Sequence, residues 1–292
     1  MKYPSRFVST SFLAICGLVL TIPFNMGGCA SDGGAGLGSI GIGGTSVDIG
    51  RAASGMEKMG HSANMKERDE NVMGESVVMA VTNQYPLNTD PALNKYVTLV
   101  GLTIASVTEN PDGNYVFGVV ESDKVNAFTG PNGYIMITTA TLKFCRSEAE
   151  LAGVLAHEVS HSVHHDGLKA AKDSLGKAGL TEVATSVGDA QQFSSLADAG
   201  VDAVLIKGYD RDQEIKADKS AIKYLIAAGY DPNAYKTFLT RVKDMQSSNQ
   251  AGFFSTHPGL EQRISAVSTQ IPQGQTGAVL KARFEKNVKR AK

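Results

Sequence analysis

The sequence predicts an α+β domain, mostly helical, with a small β-sheet beside one of its helices. Apolar residues recur at helical spacing over long stretches, as at Leu93, Tyr96, Val97, Val100 and Ile104. Two runs, 114–121 (N-Y-V-F-G-V-V-E) and 134–138 (Y-I-M-I-T), are rich in β-branched and aromatic residues. Explicit start and stop residues bound the helices, and no internal repeat is visible. A chain of 292 residues, 42% of them hydrophobic, can bury a substantial core in one or two domains. Its net charge of −1 gives no field that would gather nucleic acid.

Residues 1–28 read as an export signal. Lys2 and Arg6 form a positive start, and an apolar run follows from Phe12 through Ile22. That run is shorter than the roughly 20 residues a bilayer span needs, and it suits a signal core. Met26-Gly27-Gly28-Cys29 resembles a bacterial lipobox, which implies acylation of Cys29 and membrane attachment through the lipid. Met26 stands where leucine is usual, and an ordinary cleaved signal is the alternative. Removing Lys2 and Arg6 with the signal takes the net charge from −1 to −3. Cys16 leaves with the signal and Cys29 carries lipid, so Cys145 has no partner for an intramolecular disulfide. Residues 29–46, with Gly and Ser continuing to position 50, read as a lipidated cysteine on a flexible tether without packed structure. A domain over 47–272 and a basic tail over 273–292, solvated and frayed, complete the expected organisation.

From Val47 to Val107 the pattern is mostly helical. Asp90-Pro91 reads as an N-cap with Pro at the first helical position. The two β-runs are joined by a Gly/Pro/Asn segment. Ser147 opens the next helix, with Glu150 completing a capping box, and Asp166-Gly167 is its expected stop. Residues 210–228 form another helix ended by Gly229, and Asp231-Pro232 opens one more. Pro258 presets the first turn of a further helix.

The chemistry centres on His157-Glu158-Val159-Ser160-His161. Residues four apart share a helix face, so both imidazoles can reach one metal ion. Glu158 lies one residue round, where its carboxylate meets a water on that ion as general base. H-E-x-x-H also occurs on helices that bind nothing. Here the helix is otherwise largely apolar, and burying two histidines and a glutamate without a ligand is costly. A third ligand is also available. Glu214 and Asp218, four apart in D-R-D-Q-E-I-K-A-D, share a face; Glu214 suits zinc, and Asp218 suits the far ring nitrogen of His157. Two histidines, a glutamate and one open position make a catalytic Zn²⁺ site, one ion per chain. His164 and His165 follow at the helix end, where a cation favours the helix dipole.

These motifs resemble the gluzincin metallopeptidases of the HtpX and CAAX-prenyl-protease family, in its periplasmic lipoprotein branch. Asn126-Ala127-Phe128 with Gly133-Tyr134-Ile135 is similar to the segment ahead of that family's active-site helix. Asp210 through Asp218, then Ala228-Gly229-Tyr230-Asp231-Pro232, is similar to its third-ligand helix and the turn after it. Thr256-His257-Pro258 with Arg263 is similar to its C-terminal motif, and the likeness covers residues 65–270. The resemblance implies a zincin-like fold and a zinc metalloendopeptidase that cleaves protein and peptide substrates. His157, His161 and Glu214 are the implied zinc ligands, and Glu158 is the implied base. It gives His257 one of two roles, oxyanion stabiliser or inhibitory fourth ligand, and makes Arg263 a support for that loop or the oxyanion. Asn126 would hydrogen-bond a peptide lying extended along the neighbouring edge strand. The implied location is the bacterial cell envelope, facing the periplasm; Ala30 after Cys29 implies the outer membrane. The segment 168–207 has no counterpart that can be aligned. An envelope assembly factor that works mainly by binding is the alternative function, and intact Glu158 favours catalysis over it.

Overall fold

The computed structural model describes residues 40–42, 45–47, 65–171, 173, 197–246 and 257–288, all within one compact unit spanning Leu37–Lys292. The export signal, Cys29 and most of the tether lie outside the described residues. Within the expected tether, β1 (Ile40–Ile42) pairs antiparallel with β2 (Thr45–Val47), Ile42 opposite Thr45. The expected tether thus holds a pair of short strands at these residues.

Helix α1 (Met65–Gln84) is followed by α2 (Pro91–Ala105). Asp90 Oδ1 accepts from the Ala92 and Leu93 amides at 2.8 and 3.3 Å, and Pro91 needs no donor at its position. Leu93, Tyr96, Val97, Val100 and Ile104 all turn inward. A three-stranded sheet follows, ordered β3-β5-β4. β3 (Val116–Val120) runs parallel to β5 (Tyr134–Thr138), with Gly118 opposite Met136. β4 (Ala127–Gly130), in the segment expected only to join the two runs, pairs antiparallel with β5, Phe128 opposite Met136. All four of its residues are buried, so no in–out alternation marks it. Asn132 and Gly133 turn the chain into β5 at φ 59° and 80°.

After the short α3 (Thr139–Phe144) comes α4 (Glu148–Val163), buried at every residue from Glu148 to His161. It is the hub of the fold, packed by α2, β4, α5 and α6. Ser147 Oγ accepts from the Glu150 amide, but the Glu150 carboxylate reaches back to the Arg146 amide rather than that of Ser147, so the capping box is only half formed. The stop lies earlier than Asp166-Gly167. His164 closes the helix, His165 reverses the chain at φ 54°, and Asp166 opens a new helical run over 166–171. Among 168–207, the described residues 197–207 are helical and end in a π-turn, Asp202–Lys207.

A complete capping box between Asp210 and Gln213 opens α5 (Arg211–Ala227), and α6 (Pro232–Gln246) follows. α7 (Leu260–Gln270) starts two residues after Pro258, because Gly259 takes a left-handed conformation at its N-cap. α8 (Lys281–Val288) corrects the expectation of a frayed tail: Phe284 is buried in the main core, and Arg283 pairs with buried Glu148. Ahead of it, Ala278 bonds to Gly229 and Asp231, and Val279 to Ala149, so the C-terminal segment straps α4 to the end of α5. Among the described residues, no helix is long and apolar enough to cross a membrane.

Candidate metal centre

Helix α4 presents His157 and His161 four residues apart, their ring centroids 4.6 Å from each other. α5 crosses it and brings Glu214 and Asp218, and the segment before α7 brings His257. Four side chains, His157, His161, Glu214 and His257, place one potential ligand atom each within 4.8 Å of all the others. His161 Nε2 lies 3.1 Å from His157 Nε2. One or other Glu214 oxygen lies 3.4 Å from each of these nitrogens. His257 Nδ1 is 2.9 Å from Glu214 Oε1 and 3.4 Å from His157 Nε2.

Around this set stands a ring of carboxylates. Asp218 Oδ1 lies 2.9 Å from His157 Nδ1, and Asp166 Oδ2 lies 3.0 Å from His161 Nδ1. Arg263, buried, donates through Nε and Nη2 to the two Asp218 oxygens at 2.7 and 2.8 Å. Its Nη1 lies 2.6 Å from Glu214 Oε2, an ion-pair contact without hydrogen-bond geometry. Tyr235 also donates to Asp218, at 2.7 Å. Four buried carboxylates (Glu158, Asp166, Glu214, Asp218) against one buried guanidinium leave an excess of negative charge. The titrating groups respond accordingly. Burial opposes charge on His161, but hydrogen bonds to Asp166 and Glu214 and the charges of Glu214 and Glu158 raise it to about 9. Burial and Arg263 oppose charge on His157, and Glu214 and Asp218 outweigh them. Burial pushes Glu214 up, yet His257, Arg263 and His157 hold it well below the carboxylate range. This is a pocket that attracts positive charge.

The pattern of Peptidase family M48 matches residues 91–271, more than half of the chain and all of this site. The chain belongs to peptidase family M48. It is similar to the beta-barrel assembly-enhancing protease of Escherichia coli K12, 27% identical over 235 residues, 76% of this chain and 48% of that one. The putative beta-barrel assembly-enhancing protease of Vibrio cholerae is 28% identical over 207 residues, covering 67% and 43%. The mitochondrial metalloendopeptidase OMA1 of Schizosaccharomyces pombe is 30% identical over 183 residues, covering 62% and 53%. The chain thus spans about half the length of the relatives it matches.

M48 members are zinc-dependent metallopeptidases, and the donor set here fits that ion. A tetrahedral zinc with bonds of about 2.0–2.1 Å sets its donors about 3.3 Å apart. The shortest separations, 2.9 to 3.4 Å, are of that size, and the widest stays within 4.8 Å. A divalent cation would also offset the excess carboxylate charge.

The M48 site includes residues that the sequence reading passed over. Thr129, on β4, donates to Glu158 Oε2 at 2.5 Å, while Glu158 Oε1 makes no hydrogen bond and faces His257 Nε2 at 3.6 Å. Tyr209 stacks on His161, centroids 4.0 Å apart, and donates to the Thr129 carbonyl at 2.8 Å. Tyr235 holds Asp218 beside His157, and Asp166 lies against His161. None of these carries a motif; each is found only by its position in space. Asn126 stands at the start of β4, where its Oδ1 accepts from the Ala127 amide at 2.9 Å. His164 differs from the dipole-favoured cation expected of it: burial and the charge of Lys216 lower it to about 4, so it is neutral at pH 7. Side chains of the cluster are at most 3% exposed. A pocket of about 270 Å³, lined by Lys243 and residues 257–262, reaches His257 from the surface.

Proposed function

We propose that this chain is a zinc metalloendopeptidase acting on proteins of the bacterial cell envelope, with His157, His161 and Glu214 holding the metal and Glu158 as general base. The convergence of those three donors beside the carboxylate of Glu158 carries the reading. Zinc supplies the Lewis acidity that makes a water nucleophilic near neutral pH. Glu158 is clamped through Oε2 by Thr129, which leaves Oε1 to take the water's proton and pass it to the leaving amine. Asp218, pinned by Arg263 and Tyr235, fixes the ring of His157. Arg263 therefore works as a brace for Asp218 and Glu214 rather than at the oxyanion. The distances of 2.9 Å from His257 to Glu214 and 3.4 Å to His157 support His257 as a fourth donor that keeps the site closed at rest.

Substrate enters as an extended strand along β4, with Asn126 among its hydrogen-bonding groups. The Thr129 carbonyl must then exchange the Tyr209 hydroxyl for a peptide N–H. The export signal and lipobox-like Cys29 support a periplasm-facing lipoprotein, and Ala30 supports the outer membrane. The assembly-factor reading gains support from the name of the Escherichia coli relative, an assembly-enhancing protease, and from the near-complete burial of the cluster. Cleavage of β-casein by wild type, Glu158→Gln and His257→Ala separates these readings. Glu158→Gln should keep zinc and lose activity by about 10²–10⁴-fold, and His257→Ala should cleave faster than wild type. A Glu158→Gln variant as active as wild type would refute the mechanism.

A further inference from the structure

We propose that Asp166 is a positioning residue that fixes His161 as a metal ligand, the counterpart of Asp218 on His157. The inference rests on the zinc-site reading and extends it to a residue outside every recognised motif. Both imidazoles present Nε2 to the cluster, 3.1 Å apart, so each has only Nδ1 left to be held by the protein. Asp218, from α5, takes the Nδ1 of His157 at 2.9 Å. Asp166 takes the Nδ1 of His161 at 3.0 Å, and its own side chain is 1% exposed. An imidazole that donates from Nδ1 keeps its lone pair on Nε2, the form a metal requires.

The backbone is arranged for this contact. Had α4 continued, position 166 would lie five residues beyond His161 and more than a turn further along the axis. Instead the helix closes at His164, and His165 adopts a left-handed conformation that is unfavourable for a residue with a side chain. The reversal returns Asp166 to the flank of His161. Its backbone carbonyl then accepts from Gln213 Nε2 at 3.4 Å, in the capping box that opens α5. Asp166 thereby touches both ligand-bearing helices. Tyr209 stacked on the same ring sets the plane of His161, and Asp166 sets its rotation within that plane.

The test measures zinc affinity of the full chain by competition with a chromophoric chelator, for wild type, Asp166→Ala, Asp166→Asn and Asp218→Ala. Removing a ligand's hydrogen-bond partner typically weakens metal binding by about 10–100-fold. Asp166→Ala should match Asp218→Ala within that range. Asp166→Asn, nearly isosteric and still able to accept, should fall between it and wild type. Melting of the metal-stripped Asp166→Asn protein should equal that of stripped wild type, which separates positioning from a structural role. Cobalt-loaded Asp166→Asn should also show a shifted d–d spectrum, as ligand orientation changes. Asp166 variants that bind zinc as tightly as wild type would overturn the inference alone. Wild type that takes up no zinc would overturn the metal-centre reading and this inference with it.

Discussion

Replacing Arg283 by Ala tests whether the C-terminal strap secures the start of the active-site helix. Glu148 is fully buried at the first turn of α4, and Arg283 reaches it from α8 through Nε and Nη2. Tyr230 and Tyr96 donate to the same carboxylate at 2.7 and 2.9 Å. Breaking a fully buried pair costs about 3–5 kcal/mol. Here the Arg283 side chain is 55% exposed, so solvent screens the pair, and the tyrosines keep Glu148 hydrogen-bonded. The expected loss is about 1–2 kcal/mol. At about 2–4 °C per kcal/mol for a domain of this size, Tm should fall by about 2–8 °C at pH 7.

The pH dependence has a defined sign. Burial pushes the Glu148 carboxyl up, but hydrogen bonds from Arg283, Tyr230 and Tyr96 bring it below its ordinary value. A group depressed on folding stabilises the protein above its unfolded pKa, about 4.3 for Glu, and that contribution is lost as pH falls through the folded value. The Tm gap between wild type and Arg283→Ala, followed by calorimetry, should therefore be open at pH 7 and narrow below about pH 4. Arg283→Lys keeps the charge without the two-pronged contact and should fall between them. An Arg283→Ala protein melting with wild type at pH 7 would show that the strap holds α4 through its backbone hydrogen bonds and apolar contacts, without the Arg283–Glu148 pair.

Thr129→Val keeps shape but removes the hydroxyl on Glu158; kcat on casein should fall about tenfold or more with zinc content unchanged, whereas Thr129→Ser should stay near wild type. Equal activity of Thr129→Val would remove Thr129 from the mechanism. Gly153→Ala on α4 puts a methyl carbon 2.6 Å from Tyr235 Cβ, closer than real contacts allow. It should destabilise by about 1–3 kcal/mol and, by displacing the Tyr235 hydroxyl from Asp218, weaken zinc binding as well. Stability loss with unchanged zinc affinity would uncouple Tyr235 from the site. Cys29→Ala should move the protein from the membrane to the soluble periplasmic fraction with the same melting temperature, and retention in membranes would remove the lipid anchor.

Much of the site was legible because its spacing is local. His157 and His161 share a face of any helix, and so do Glu214 and Asp218, so the sequence alone determined each pair, and the packing of α4 against α5 brings the two pairs together. Asp90, Ser147 and Gly229 likewise mark helix ends, because caps act within a few residues of themselves. The tertiary structure decided everything that depends on chain reversal or on burial from two sides. Strand β4 escaped notice because both its faces are covered, which erases the alternation that betrays a strand. Asp166 looked like a helix stop, and only the left-handed turn at His165 returns it to His161. Thr129, Tyr209 and Tyr235 reach the centre from 29, 48 and 78 residues away from Glu158, His161 and His157. The basic tail looked solvated by composition, yet one buried carboxylate at the start of α4 draws Arg283 onto the domain. Hydrogen bonds of that kind leave no period in the sequence, since their geometry is set by how helices pack and not by how far apart two residues lie along the chain.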